Sequence, residues 1–295
     1  MKTKICIITL IILSILSCRQ NDENKNKLSD QKKSAAKTFE QKEKKRLEKR
    51  AEIEKQDRID NLKLDKVLSE ALKIAIQNIG KDKFQKKYTV KTDQDYNIKV
   101  EMNMDNHFTK NAPHLIIWRY GADKLCIDIY SKNGKKLKKV LSHDEWSMTY
   151  RNDTIRDING DGLKDFVVNW YGSVGCCLKA FSNVYLLRKD NKSFSTDFEF
   201  INPTFSPKEK IIRGICYGHP AETEMYKYKW NGEAVDTIEF VSYEKNIKDQ
   251  KTGKIIISKN RSYNNKKIIE RLNSVPNEYQ KIEGYDWFTG NLDNN

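Results

Sequence analysis

The chain has 295 residues, with 55 Lys and Arg against 41 Asp and Glu and a formal net charge of +14. Charged residues make up 33% and the hydrophobic set 38%, yet 14 Tyr, 11 Phe and 5 Trp exclude a wholly disordered chain. A single long apolar run excludes a multi-span membrane protein, and the basic excess raises nucleic-acid binding as the first class to test.

Lys2 and Lys4 precede an apolar run from Ile5 to Leu16 that only Thr9 and Ser14 interrupt. It is shorter than the roughly 20 residues of a spanning helix and has the form of a secretory signal. It ends in Ile15-Leu16-Ser17-Cys18, a small residue immediately before a cysteine. The segment resembles the bacterial lipobox, which implies removal of residues 1–17, acylation of Cys18 and anchoring by several acyl chains. Arg19 stands where an Asp would resemble an inner-membrane retention signal, so the resemblance favours the outer membrane. Asp22-Glu23 resembles a short surface-export signal, and both membrane faces stay open.

Residues 18–58 are rich in Lys, Glu and Gln, with few apolar side chains beyond Phe39, Leu47 and Ile53. Strong helix formers and i,i+4 pairs such as Glu40 with Lys44 predict a solvated helix or partly disordered tether. Export takes cytoplasmic nucleic acid out of reach, so this charge reads as a stalk, with no nucleic acid among the expected partners. Within residues 59–80, Val67, Leu68, Ala71, Leu72, Ala75, Ile76 and Ile79 form one apolar stripe, which predicts an amphipathic helix ending at Gly80.

Residues 81–295 read as a mainly β domain. Tyr96–Met102 and Tyr226–Trp230 alternate polar and apolar residues, as half-buried strands do. Leu115–Trp118 and Phe166–Val168 are continuous apolar runs suited to interior strands. Asn133-Gly134 and Asn231-Gly232 are two-residue hairpin signals, and Asp190-Asn191 marks a related turn. The hairpins Asp128–Val140, Val184–Phe198 and Tyr226–Phe240 recur irregularly. They fit an antiparallel propeller-like array, with a β-sandwich as the alternative. Lys266–Leu272 fits a short helix or a final strand.

The one strong chemical motif is Asp157-Ile158-Asn159-Gly160-Asp161-Gly162-Leu163-Lys164-Asp165. Side-chain oxygens of Asp157, Asn159, Asp161 and Asp165, with the Leu163 carbonyl, suit Ca²⁺, a hard ion that takes several oxygen ligands. An EF-hand would carry a Glu at its twelfth position, where this chain has Val168. The loop running directly into Phe166-Val167-Val168 resembles the calcium loops of the VCBS and FG-GAP families. Asn183–Leu187, Asn202–Pro207 and Tyr228–Gly232 follow in an order similar to that of single-loop exported proteins, including immunity proteins that inhibit cell-wall hydrolases.

Cys126, Cys176, Cys177 and Cys216 remain beyond the signal and acylation site, and an exported compartment favours disulfides among them. The vicinal pair is sterically unfavourable, leaving two complete pairings; a zinc or redox site with His219 is the competing use. His143-Asp144-Glu145 is contiguous, which does not create a triad, and Ser173 lacks a nucleophile elbow. Together these features predict a lipid-anchored envelope protein that binds a protein or glycan without catalysis, with Trp170, Tyr171, Tyr217 and His219 as candidate contacts. Inhibition of a cell-wall hydrolase and metal-assisted hydrolysis are the alternatives.

Overall fold

The computed structural model describes residues 5–93, 96–172, 175, 177–261 and 266–292, with side chains from residue 39 onward. Contacts divide the chain into two units, one ending at Lys63 and one beginning at Leu64. Helix α1 (Ile5–Gln77) supplies the first unit. There Phe39, Leu47 and Ile53 are exposed, and ion pairs such as Arg50 with Glu54 at 3.1 Å line the surface. The signal and the Cys18 side chain lie outside the described side chains. Among the described residues no helix is long and apolar enough to cross a membrane.

The second unit is mainly β and antiparallel. Sheet I is the meander β1 (Phe84–Lys91), β2 (Asn97–Asp105), β3 (His114–Tyr120), β4 (Lys124–Asn133) and β5 (Lys136–Trp146). Sheet II follows as β6 (Tyr150–Arg156), β7 (Asp165–Tyr171), β8 (Ala180–Tyr185) and β9 (Phe198–Ile201). Sheet III comprises β10 (Pro203–Ser206), β11 (Ile211–Ile215), β12 (Met225–Asn231), β13 (Ala234–Lys245), β14 (Lys251–Ser258) and β15 (Ile268–Leu272). A five-residue helix, α2 (Tyr285–Thr289), lies near the end.

The apolar clusters give the layer order. Leu64, Val67, Ala71 and Ala75 of α1 pack on Ile98, Val100, Met102, Leu115 and Ile117 of sheet I. The opposite face of sheet I, through Ile116, Ile127 and Ile129, meets Phe166 and Val168 of sheet II. Val167 and Val184 point the other way, to Ile212, Tyr226 and Trp230 of sheet III. Met225, Val241 and Ile257 then meet Val275, Tyr279 and Phe288 of the C-terminal segment. Strands with both faces covered need apolar residues at every position, which explains the runs at 115–118 and 166–168.

This stack corrects the propeller-like expectation in favour of the sandwich alternative. Each meander has blade-like connectivity. However, α1 covers the outer face of sheet I and the C-terminal segment covers that of sheet III, so the end sheets do not close a ring. Smaller corrections follow. Ile76 sits at the border of the helical stripe and is 56% exposed. Gly80 lies past the helix end and is not left-handed. Both Asn-Gly hairpins are offset by one residue: Asn133 pairs with Lys136 and Asn231 with Ala234, so Gly134 and Gly232 open the turns at φ 59° and 61°. Lys266–Leu272 resolves into strand β15.

A buried ion pair fixes the helix to sheet I. Arg119 Nη2 donates to Asp128 Oδ2 at 2.6 Å, and Nη1 donates to the Leu64 carbonyl at 2.7 Å. Ser142 Oγ and Lys139 Nζ satisfy Asp128 Oδ1 at 2.8 and 2.6 Å. Removing one partner strands the other charge away from water. Asp128→Ala should therefore lower urea-denaturation stability by about 3–5 kcal/mol, whereas Lys139→Ala, at the exposed edge, should cost about 1 kcal/mol or less.

Candidate functional site

The acidic loop connects β6 to β7 at the seam of sheets II and III. Asp157 Oδ1 accepts the Gly160 N–H at 2.7 Å and Oδ2 accepts the Gly162 N–H at 2.9 Å. Asn159 Oδ1 takes the Asp161 N–H at 3.0 Å, and Asp161 Oδ1 takes the Leu163 N–H at 2.8 Å. These Asx turns curl the backbone, with Gly160 and Gly162 at φ 75° and 86°. Gly160 also allows close approach: a Cβ there would lie 2.1 Å from the Pro207 carbonyl oxygen of the turn after β10.

Asp165 is fully buried and closes the loop. Its Oδ2 accepts the Ile158 N–H and its Oδ1 the Leu187 N–H, both at 2.9 Å. Burial pushes its carboxyl up to about 7, against the two N–H bonds, and the charges of Asp161 and Asp157 add to the rise. The donor set fits a hard cation: three carboxylates and one amide within nine residues, around a buried acid whose charged neighbours are acids. As placed, no three His, Cys, Asp or Glu among the described residues form a metal-holding group. The loop oxygens are engaged by backbone N–H groups, each carboxylate oxygen keeping a further lone pair.

Beside the loop is a cleft of about 540 Å³ lined by Asn159, Asp161, Leu187, Lys210, Trp230 and Glu233. Arg188 closes one side with a bidentate pair to Glu233 at 2.7 and 2.9 Å. The Trp230 indole N–H is buried without a hydrogen-bond partner among the described residues. The Trp230 ring packs edge-on against Phe198 and Phe200.

A second cleft of about 460 Å³ lies toward the other end of β7, lined by Glu145, Trp146, Thr149, Trp170, Gly172, Lys179, Phe181 and Tyr217. Trp170 and Phe181, cross-strand partners, stack at 4.1 Å and 10°. The Trp170 indole N–H donates to Asn183 Oδ1 at 2.6 Å, which fixes the ring. Trp146 and Tyr217 are 45% and 54% exposed. Lys179 Nζ lies 5.4 Å over the Tyr217 ring, within cation–π range. Glu145 Oε1 accepts the Thr149 hydroxyl at 2.7 Å and the Trp146 N–H at 2.9 Å. These bonds, with the neighbouring His143, outweigh burial and hold Glu145 below the usual carboxylate range. His143 Nδ1 in turn lies 2.7 Å from the Tyr185 hydroxyl.

Of the four aromatic and histidine candidates, Trp170 and Tyr217 meet in this cleft. Tyr171 faces the opposite side of β7, beneath Arg151 at 5.7 Å, and His219 is exposed on the loop after β11. Trp146, Phe181 and Lys179 were not singled out from sequence, and Glu145 was named only within His143-Asp144-Glu145. His143 and Glu145 share one face of β5, since i and i+2 of a strand point the same way. The expected disulfides that include Cys176 lie outside the described residues. Cys126 and Cys216 carry free thiols, and Cys177 is bonded to neither. Cys126 packs on the helix side of sheet I and Cys216 between sheets II and III, so a sheet separates them. Burial raises both thiols to about 12. Of the zinc alternative's residues, Cys216 is buried and His219 exposed, and Cys176 lies outside the described residues.

The chain matches no protein-family model, no curated protein and no solved structure. In chelator, the folded state holds the Asp165 proton more tightly than the unfolded chain. Its stability contribution is thus full below about pH 4 and should fall as pH rises toward about 7. Thermal melts in EDTA across that range check this, with the slope removed in Asp165→Asn.

Proposed function

We propose that the protein is a lipid-anchored envelope protein whose Ca²⁺-braced β domain binds an envelope protein or glycan without catalysis. The aromatic cleft carries the reading: Trp146 and Tyr217 are exposed around the fixed Trp170–Phe181 stack. Aromatic side chains give large contact area at low entropic cost, and Trp and Tyr dominate binding energetics at interfaces. Glu145 is the one carboxylate among the described lining residues and is held as an anion, which suits contact better than proton donation.

Asp157, Asn159, Asp161 and Asp165 would hold the ion, with the Leu163 carbonyl as a further oxygen donor. When bound, Ca²⁺ supplies positive charge to a seam where carboxylates crowd. The chain's own residues do the bracing: Gly160 packs on Pro207, and Asp165 ties Ile158 to Leu187. The resemblance of Leu16-Ser17-Cys18 to a lipobox supports the anchor.

Full-length protein should capture one component reproducibly from envelope fractions, and Trp146→Ala with Tyr217→Ala should abolish capture without lowering the melting temperature. Capture indifferent to both changes would overturn the cleft reading. Metabolic labelling with a fatty acid should mark wild type and leave Cys18→Ala unlabelled; a labelled Cys18→Ala protein contradicts the anchor.

A further inference from the structure

We propose that the cleft around Trp146, Trp170 and Tyr217 is a saccharide site that takes a neutral pyranose ring. This inference rests on the binding reading above and names its ligand class. A pyranose presents C–H groups on one face and hydroxyls around its rim. The electron-rich faces of Trp and Tyr attract such C–H groups, and hydroxyls both donate and accept. The cleft offers both kinds of contact. Trp146 and Tyr217 are exposed, Trp170 is fixed by Phe181 and Asn183, and Lys179 and Glu145 lie on the same lining.

Three details define the class further. Lys179 and Glu145 carry opposite charges, so the described lining is neutral overall and favours polar ligands without net charge. A volume of about 460 Å³ lies in the range of small-ligand pockets. Lys179 also lies across bare backbone: a Cβ on Gly172 would come within 2.9 Å of its Cδ. A side chain at position 172 would push the ammonium off its place over Tyr217.

The test uses full-length protein titrated with cellotetraose and with chitotetraose, read by tryptophan fluorescence and calorimetry. At least one should bind saturably. Trp146→Ala and Lys179→Gln should each weaken that binding at least about tenfold, with unchanged melting temperatures, and Gly172→Ala should weaken it in the same direction. Ile247→Ala, remote and fully exposed, serves as the unaffected control. Absence of saturation by both sugars, or binding indifferent to Trp146 and Lys179, overturns the proposal. Trp146-dependent capture of an envelope protein without sugar binding overturns the saccharide class and leaves the binding reading standing. Loss of both kinds of binding overturns both.

Discussion

A carboxylate buried where two sheets meet imposes the central constraint on this molecule. Asp165 starts the central strand β7 with no exposed surface, and its two oxygens take backbone N–H groups from Ile158 before it and Leu187 after β8. Those bonds set the loop against the sheet. They do not balance the charge, because the charged groups acting on it are Asp161 and Asp157. A buried acid in that setting takes up a proton or gains a cation. The oxygen-rich loop wound around it is the ground for proposing the cation, and Ca²⁺ is the ion whose coordination would suit such ligands.

The same strand links the loop to the aromatic cleft. β7 begins at Asp165 and carries Trp170 five residues later, roughly 16 Å away at the usual rise per residue. Both of its faces are buried, Phe166 and Val168 against sheet I and Val167 against sheet III. Such a strand has little freedom to shift in register, since a one-residue slip would exchange its two faces. Bracing at the loop therefore holds the frame from which Trp170 is presented. At the far side of the stack, Arg213 binds Glu209 at 2.7 Å and also pairs with Glu278. Tyr279 donates to Glu239 at 2.9 Å, so the C-terminal segment is fastened over sheet III.

Much of this was legible in the sequence where burial writes a period. The alternation at Tyr96–Met102 foretold a strand with one buried row, and Ile98, Val100 and Met102 form that row. The uninterrupted runs at 115–118 and 166–168 foretold strands covered on both faces. Blade-like hairpins could not reveal whether the end sheets meet, because a stack and a ring share local pairing and differ only in what covers the outermost faces. Cysteine count likewise said nothing of depth, and Cys126 and Cys216 lie in different layers. The cleft was half legible: Trp170 and Tyr217 stood out as aromatics. Trp146 and Lys179 enter from the end of β5 and the approach to β8, which only the three-dimensional packing brings together.

Calorimetric titration of chelator-treated full-length protein with CaCl₂ tests the central constraint most directly, with Asp165→Asn beside it. One calcium equivalent should bind to the wild type and raise its melting temperature, while Asp165→Asn should lose that binding and melt alike with and without the ion. Absence of calcium binding by the wild type, or equal binding by Asp165→Asn, would contradict the assignment of the buried carboxylate to a cation.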